Sequence, residues 1–323
     1  MIKVSIIIPS FNASDYITDL VKSLLPLNNI EIIIIDDGST DSTVTLIQKN
    51  FLNKVVLIPT NHIGPGNARN VGILQAKGKY IMFVDADDRL DIPMLSRIFN
   101  NIPNDTDITS YTKYPVNKLI NNEVQKRQLC IDILENNYAK GFIPGPVSKI
   151  YNTKFLKEND LLFPESLKMG EDKLFNLYAV LKSNKISIIS SSFYRYRNNP
   201  SSLTHLYKTG SISEEINLLR EIKRFINDSN FNYSFQNIAV KYWINDVSNA
   251  LESGASKKAV SEYRNYILSE FSVKELLYNK LSIKKKFILF TLIFKCYALL
   301  KVAKKVLTIN FRKEVKQIEY RNI

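Results

Sequence analysis

The amino-acid sequence predicts an α/β protein: a mostly parallel sheet with helices on both faces, followed by a helical C-terminal region. Three observations predict it. Continuous β-branched runs, rather than alternating ones, occur at Val4 to Pro9, Glu31 to Asp36, Lys54 to Pro59 and Tyr80 to Asp85. Amphipathic stretches separate them, from about Ser14 to Leu25, Asp41 to Phe51 and Gly66 to Ala76. From about Gly210 to Phe271 the apolar residues, among them Ile216, Leu219, Ile222 and Phe225, fall at helical spacing instead. Strands apolar on both faces belong to parallel sheets covered on both sides.

Taken in order, the first run reads as a buried strand; it lacks the longer apolar stretch and small-residue cleavage site of a signal peptide. The next three runs complete the regular alternation. Between Leu90 and Tyr207 the pattern loosens, with a strand expected at Asp107 to Tyr114, a helix after Gly170 and a strand at Lys185 to Tyr196. The organisation expected is an α/β domain over 1–207, a helical region over 208–279 and a basic tail over 280–323.

The 323 residues carry a net charge of +13, and its location decides its meaning. From Lys280 onward, twelve Lys or Arg face only Glu314 and Glu319, so ten of those thirteen net charges belong to the tail. A nucleic-acid binder would spread basic charge over a folded face, so that class is disfavoured. Two cysteines, Cys130 and Cys296, offer neither a disulfide framework nor metal-ligand spacing, which points to a reducing compartment, the cytoplasm. The apolar run from Phe287 to Leu300 is broken by Lys295 and falls short of the roughly 20 residues a membrane span needs.

Ligands of parallel sheets bind at the carboxyl ends of the strands, and these ends are polar here. They read Pro9-Ser10-Phe11-Asn12, Asp36-Asp37-Gly38-Ser39, Asn61 to Asn70 and Asp85-Ala86-Asp87-Asp88. An Asp-x-Asp group with open positions suits Mg²⁺ or Mn²⁺, whose shell a diphosphate completes. Arg69 supplies a fixed cation nearby. No Gly-x-Gly-x-x-Gly follows the first strand, which disfavours a dehydrogenase.

Val4 to Asn12, Ile35 to Asp41, Ala68-Arg69-Asn70-Val71-Gly72, Phe83 to Asp88, and Glu171-Asp172 preceded by Phe163-Pro164-Glu165 together resemble the signatures of family 2 glycosyltransferases of the GT-A, Rossmann-like fold. The resemblance covers roughly residues 1–207. It implies an inverting, metal-dependent transfer of a sugar from a nucleoside-diphosphate donor of the UDP type to a saccharide hydroxyl. Donor-nucleotide contacts are then expected from Pro9, Phe11 (stacking on the base), Asp37 (accepting from a ring N–H), Arg69 and Asp85. Asp87 becomes the metal ligand, joined by Asp85 and His205; Asp172 becomes the general base and Glu171 positions the acceptor. Lys149 and Asn152 fall in the acceptor-side segment, and Asp88 reads as a cap of the following helix. His62 receives no role. A catalytically silent nucleotide-sugar binding domain is the alternative.

The tail interleaves Lys284-Lys285-Lys286, Lys295, Lys301, Lys304 and Lys305 with apolar residues. Such a pattern either docks on an anionic membrane surface or packs on the helical region. Membrane docking implies a peripheral position on the inner face of the cell membrane. A lipid-linked saccharide then becomes the natural acceptor, as in bacterial surface-polysaccharide synthesis.

Overall fold

The structure, a computed structural model, describes residues 2–137, 141–143, 145–197, 211–231, 233–252, 257–277 and 283–294. The chain divides into two compact units, Met1–Asn199 and Pro200–Ile323.

The first unit opens with the predicted alternation. Strands β1 (Val4–Ser10), β2 (Ile30–Asp36), β3 (Val56–Pro59) and β4 (Tyr80–Phe83) are separated by helices α1 (Ile17–Leu24), α2 (Thr43–Phe51) and α3 (Pro65–Gln75). A two-residue strand β5 (Arg89–Leu90) and helix α4 (Ile92–Asn100) follow. Then come β6 (Ile108–Thr112), β7 (Lys118–Ile120), α5 (Glu123–Leu134), β8 (Lys149–Asn152), α6 (Thr153–Glu158), α7 (Glu171–Lys182), β9 (Ile186–Ser190) and β10 (Tyr194–Arg195).

Eight strands form one sheet in the order β3-β2-β1-β4-β8-β6-β9-β7. Strands β3, β2, β1 and β4 are parallel, as are β6 and β9, whereas β8 runs antiparallel to β4 and β6, and β7 to β9. The continuous apolar runs have the expected cause, for successive residues of β1 serve opposite faces. Ile6 and Ile8 join Ile32 and Ile34 in a core with Ile17, Leu20 and Leu24 of α1 and Leu95 and Ile98 of α4. Ile7 faces the other way, towards α3, where a Cβ on Gly72 would lie 2.3 Å from Ile7. Beyond it, Phe83, Tyr151, Phe163 and Phe175 form an aromatic cluster, with Phe163 and Phe175 stacked at 4.1 Å.

Three local expectations are corrected. The single strand foreseen at Lys185 to Tyr196 is two strands in different sheets, because Ser190-Ser191-Ser192 interrupts it. Ser191 N–H bonds to Thr112, and β10 turns away to pair with β5. Asp88 does not cap α4; that cap is Asp91, whose side chain accepts from Met94 N–H at 3.1 Å. Asn152 lies opposite Tyr80, at the amino end of β4, and its side chain caps α6 by accepting from Phe155 N–H. It is therefore remote from the carboxyl edge.

The second unit contains α8 (Ser211–Asp228), α9 (Phe235–Glu252), α10 (Lys257–Glu270), α11 (Val273–Leu277) and α12 (Ile283–Ile293). Ile222, Phe225, Trp243, Tyr263 and Ile267 are fully buried in its core. Helix α12 packs against α9 and α11, burying Leu289, Thr291, Leu292 and Ile293. Arg264 Nε donates to the Ile293 carbonyl at its end. No helix of the described residues is long and apolar enough to cross a membrane.

Candidate active site

The carboxyl ends of β1, β2 and β4 share one edge of the sheet, and each carries its polar sequence there. The β1 turn is laced to the β2 turn. Asn12, at φ +48°, accepts from Thr40 N–H through Oδ1 and donates its own N–H to Ser39 Oγ. This leaves Phe11 projecting, 47% exposed, an uncommon state for a large apolar side chain in a well-packed unit. Pro9, one residue from the end of β1, sits in register with Ile35.

Asp37 is buried at the end of β2 and organises the loop after β3. Its Oδ1 accepts from Thr60 Oγ1 (2.9 Å) and Ile63 N–H (2.6 Å), and its Oδ2 from Gly64 N–H (2.9 Å). Each carboxylate oxygen has two lone pairs, so Oδ2 retains one for a further donor. Gly64 adopts φ +89°, a conformation glycine favours, and Pro65 starts α3 at once. The same loop carries His62, whose ring lies 4.6 Å from that of Phe11 while Nδ1 is 3.2 Å from the Asp37 carbonyl oxygen. Nothing local in the sequence singles out His62; its proximity to Phe11 arises only when the two loops meet.

Arg69 occupies the centre. Its Nη2 donates to Asp85 Oδ1 at 2.9 Å and its Nη1 to Glu171 Oε1 at 3.3 Å, while the guanidinium lies 5.5 Å from the Phe163 ring centroid. Burial works against this charge, yet Asp85 and Glu171 outweigh burial and hold it firmly protonated. Arg69 is thus less an open cation than a bridge between the Asp-x-Asp group and the Glu-Asp pair. Asn70 secures the neighbouring segment, donating to the Phe163 carbonyl (2.8 Å) and accepting from Phe163 N–H (2.7 Å). Its role was not foreseen, although it stands in the quoted Ala-Arg-Asn motif.

Glu171 and Asp172 form the first turn of α7, where negative charge complements the helix dipole. Glu171 is buried, and a Cβ on Gly66 would come within 2.9 Å of its Cγ, so Gly66 permits the close approach of α3. Burial, then the adjacent Asp172 charge, push the Glu171 carboxyl up to about 7, with Arg69 pulling the other way. Asp172 is only half-buried.

Asp85 and Asp87 are half-buried, whereas Asp88 is buried. Asp88 accepts from Tyr194 Oη (2.7 Å) and from Arg197 N–H (2.9 Å), and Tyr194 Oη in turn accepts from Asp85 N–H (3.1 Å). Burial drives the Asp88 carboxyl up to about 7 against these two donors. Asp88 therefore ties the polar segment after β10 to the Asp-x-Asp turn. His205 lies outside the described residues.

Asp85 and Asp87 fit a hard divalent cation in type and number: one or two carboxylates, with remaining positions for diphosphate oxygens and water, is the usual set for Mg²⁺. Among the described residues no cluster of three or more His, Cys, Asp or Glu forms a complete protein cage. Lys149 is fully buried in β8, its Nζ donating to the Ile143 and Gly145 carbonyls.

The comparisons with known proteins agree with this architecture. Residues 5–162 match the family described as Glycosyl transferase family 2. The poly(ribitol-phosphate) beta-N-acetylglucosaminyltransferase TarS of Staphylococcus aureus strain Mu50 is 36% identical over 204 residues, covering 61% of this chain and 35% of TarS. A poly(ribitol-phosphate) beta-glucosyltransferase of Bacillus spizizenii W23 is 36% identical over 205 residues, covering 60% of this chain and 32% of its own length. EpsJ of Bacillus subtilis 168, an uncharacterized glycosyltransferase, is 30% identical over 228 residues, 66% of each chain. The crystal structure of S. aureus TarS 1–349 in complex with UDP-GlcNAc superposes with a TM-score of 0.62 at 24% identity, over 90% of this chain and 88% of that one.

The chain carries a Glycosyl transferase family 2 domain on a GT-A fold, followed by a helical region. It spans 35% of the length of the first of these relatives.

Proposed function

We propose that this protein transfers a sugar from a UDP-type nucleoside-diphosphate donor to a hydroxyl of a saccharide or polyol-phosphate acceptor, inverting the anomeric centre. The observation that carries the reading is the Arg69 bridge. It draws Asp85 of the Asp-x-Asp turn and Glu171 of the Glu-Asp pair, 86 positions apart in the chain, onto one buried guanidinium. Stability alone is a poor reason for such an arrangement, since buried ion networks are often no better than apolar packing.

In this reading the base lies against the exposed Phe11 ring, with the remaining lone pair of Asp37 Oδ2 accepting its ring N–H. Asp87, with Asp85 beside it, would hold Mn²⁺ or Mg²⁺, which when bound neutralises charge on the departing diphosphate. Asp172, half-open to solvent at the start of α7, takes the proton of the acceptor hydroxyl as that oxygen attacks the anomeric carbon. Glu171 beside it positions the acceptor, and both carboxylates share the charge environment of Arg69. The family's poly(ribitol-phosphate) transferases make polyol phosphates and lipid-linked saccharides the first acceptors to assay, in the setting of bacterial surface-polysaccharide synthesis.

Peripheral attachment to the inner face of the cell membrane belongs to the same proposal. Its support is α12, which presents Phe287, Phe290 and Phe294, each at least 45% exposed, beside the Lys284 to Lys286 sequence.

The deciding experiment is calorimetric titration with UDP, UDP-GlcNAc and UDP-glucose, each with and without Mn²⁺ or Mg²⁺. Metal-dependent binding is expected, weakened in Asp87→Ala. Equal affinity of wild type and Asp87→Ala with Mn²⁺ present would remove the metal assignment. Tight binding without donor hydrolysis or transfer would leave a catalytically silent domain.

A further inference from the structure

Lys149 is a fully buried lysine in the middle of a sheet, where its neighbours Ile150 and Tyr151 are ordinary core residues. A buried ammonium is strongly disfavoured unless its protons find acceptors, and Lys149 finds them in one short segment. Its Nζ donates to the carbonyl oxygens of Ile143 and Gly145, both at 2.5 Å, and lies 4.5 Å from the Phe142 ring centroid. A methionine of similar length would fill the same volume without this demand. The polar head therefore serves the backbone it grips.

That backbone borders the base. A Cβ on Gly145 would lie 3.6 Å from Asp172 Oδ2. Residues 141–143 and 145–148 are neither helix nor strand, so they have no ladder of their own to fix them. We infer that Lys149 is a positioning residue: it holds the Ile143 and Gly145 carbonyls in place beside the Asp172 carboxylate, and Gly145 leaves space there for the acceptor hydroxyl. The inference rests on Asp172 being the base. The Asp172 charge acts on Lys149 as it does on Arg69, Glu171 and Tyr151; burial, opposed by Asp172, brings the Lys149 amine down to about 7.

The test uses the full chain and three readouts: UDP affinity, hydrogen–deuterium exchange over 141–148, and UDP release from UDP-GlcNAc or UDP-glucose. Lys149→Met is expected to keep UDP affinity within about twofold, speed exchange in that segment, and lower turnover by about tenfold or more, as misplacement of a reacting group does. Gly145→Ala fits without a close contact and is expected to keep both affinity and exchange while also lowering turnover. Wild-type exchange or wild-type turnover in Lys149→Met would overturn the positioning role, as would loss of UDP affinity. Wild-type turnover in Gly145→Ala would overturn the space assigned to the acceptor. Should the wild type itself fail to bind UDP, the proposed function falls, while exchange in Lys149→Met still reports whether the lysine pins the segment.

Discussion

At the scale of single residues, two neighbouring carboxylates on one helical turn differ because one is buried and the other is not. Glu171 meets Arg69 and Gly66, whereas Asp172 opens towards solvent and the Gly145 segment. Asp172→Asn keeps the shape and removes the basic oxygen, so transfer should be abolished while UDP affinity stays within about twofold. Such a result separates catalysis from donor binding; a large loss of UDP affinity would place Asp172 on the donor side. The raised carboxyl of Glu171 also has a thermodynamic consequence. Its ordinary value is 4.5 and its folded value about 7, so between those limits the folded chain holds a proton that the unfolded chain has released. Its contribution to stability is full below pH 4.5 and is lost as pH rises through 7. Asp88, raised from 3.8 to about 7, acts with the same sign. Denaturant midpoints of Glu171→Gln should therefore gain on the wild type between about pH 5 and about pH 7.5. A constant gap across that window would mean that Glu171 is ionised throughout.

At the scale of elements, α3 holds the site together from both ends. Its first turn brings Gly66 against Glu171, its middle carries Arg69 and Asn70, and Gly72 lets the helix settle on Ile7. Gly72→Ala places a methyl 2.3 Å from Ile7 and must push the helix off β1. Overpacking of this kind costs about 1–3 kcal/mol, and thermal unfolding should show it together with weaker donor hydrolysis, because Arg69 moves with the helix. The strands were readable as continuous apolar runs since both their faces are covered. Strand β8 was not: it is four residues long, contains a lysine, and is a strand only because β4 and β6 flank it. Likewise β10 was merged with β9, since β-branched and aromatic composition does not reveal which partner a strand will choose.

For the whole molecule, the two compact units carry different chemistry. The first holds all the described site residues, and the second contains α12, which buries one face while its Phe287, Phe290 and Phe294 remain exposed. Packing on the helical region is seen for one face of α12, and membrane docking by the other face is a proposal. Replacing the three phenylalanines by serine should weaken sedimentation with vesicles containing anionic lipid, and leave UDP binding unchanged. Added salt should weaken wild-type binding too, since each basic residue near such a surface contributes about 1 kcal/mol at most and is screened. Vesicle binding equal to wild type in the triple variant would exclude that face as the docking surface.

The sequence by itself determined what is local: the alternation of buried strands and amphipathic helices, and the motifs at strand ends that mark a family 2 glycosyltransferase domain. These are legible because side-chain periodicity and turn chemistry act within a few residues. Only the tertiary structure decided which of those residues meet. It committed Arg69 to Asp85 and Glu171, moved Asn152 out of the site, brought His62 to Phe11, and buried Lys149 under the segment beside Asp172. The physical reason is that a charge's role depends on its partners and its solvent exposure, and both are set by chain segments far apart in sequence.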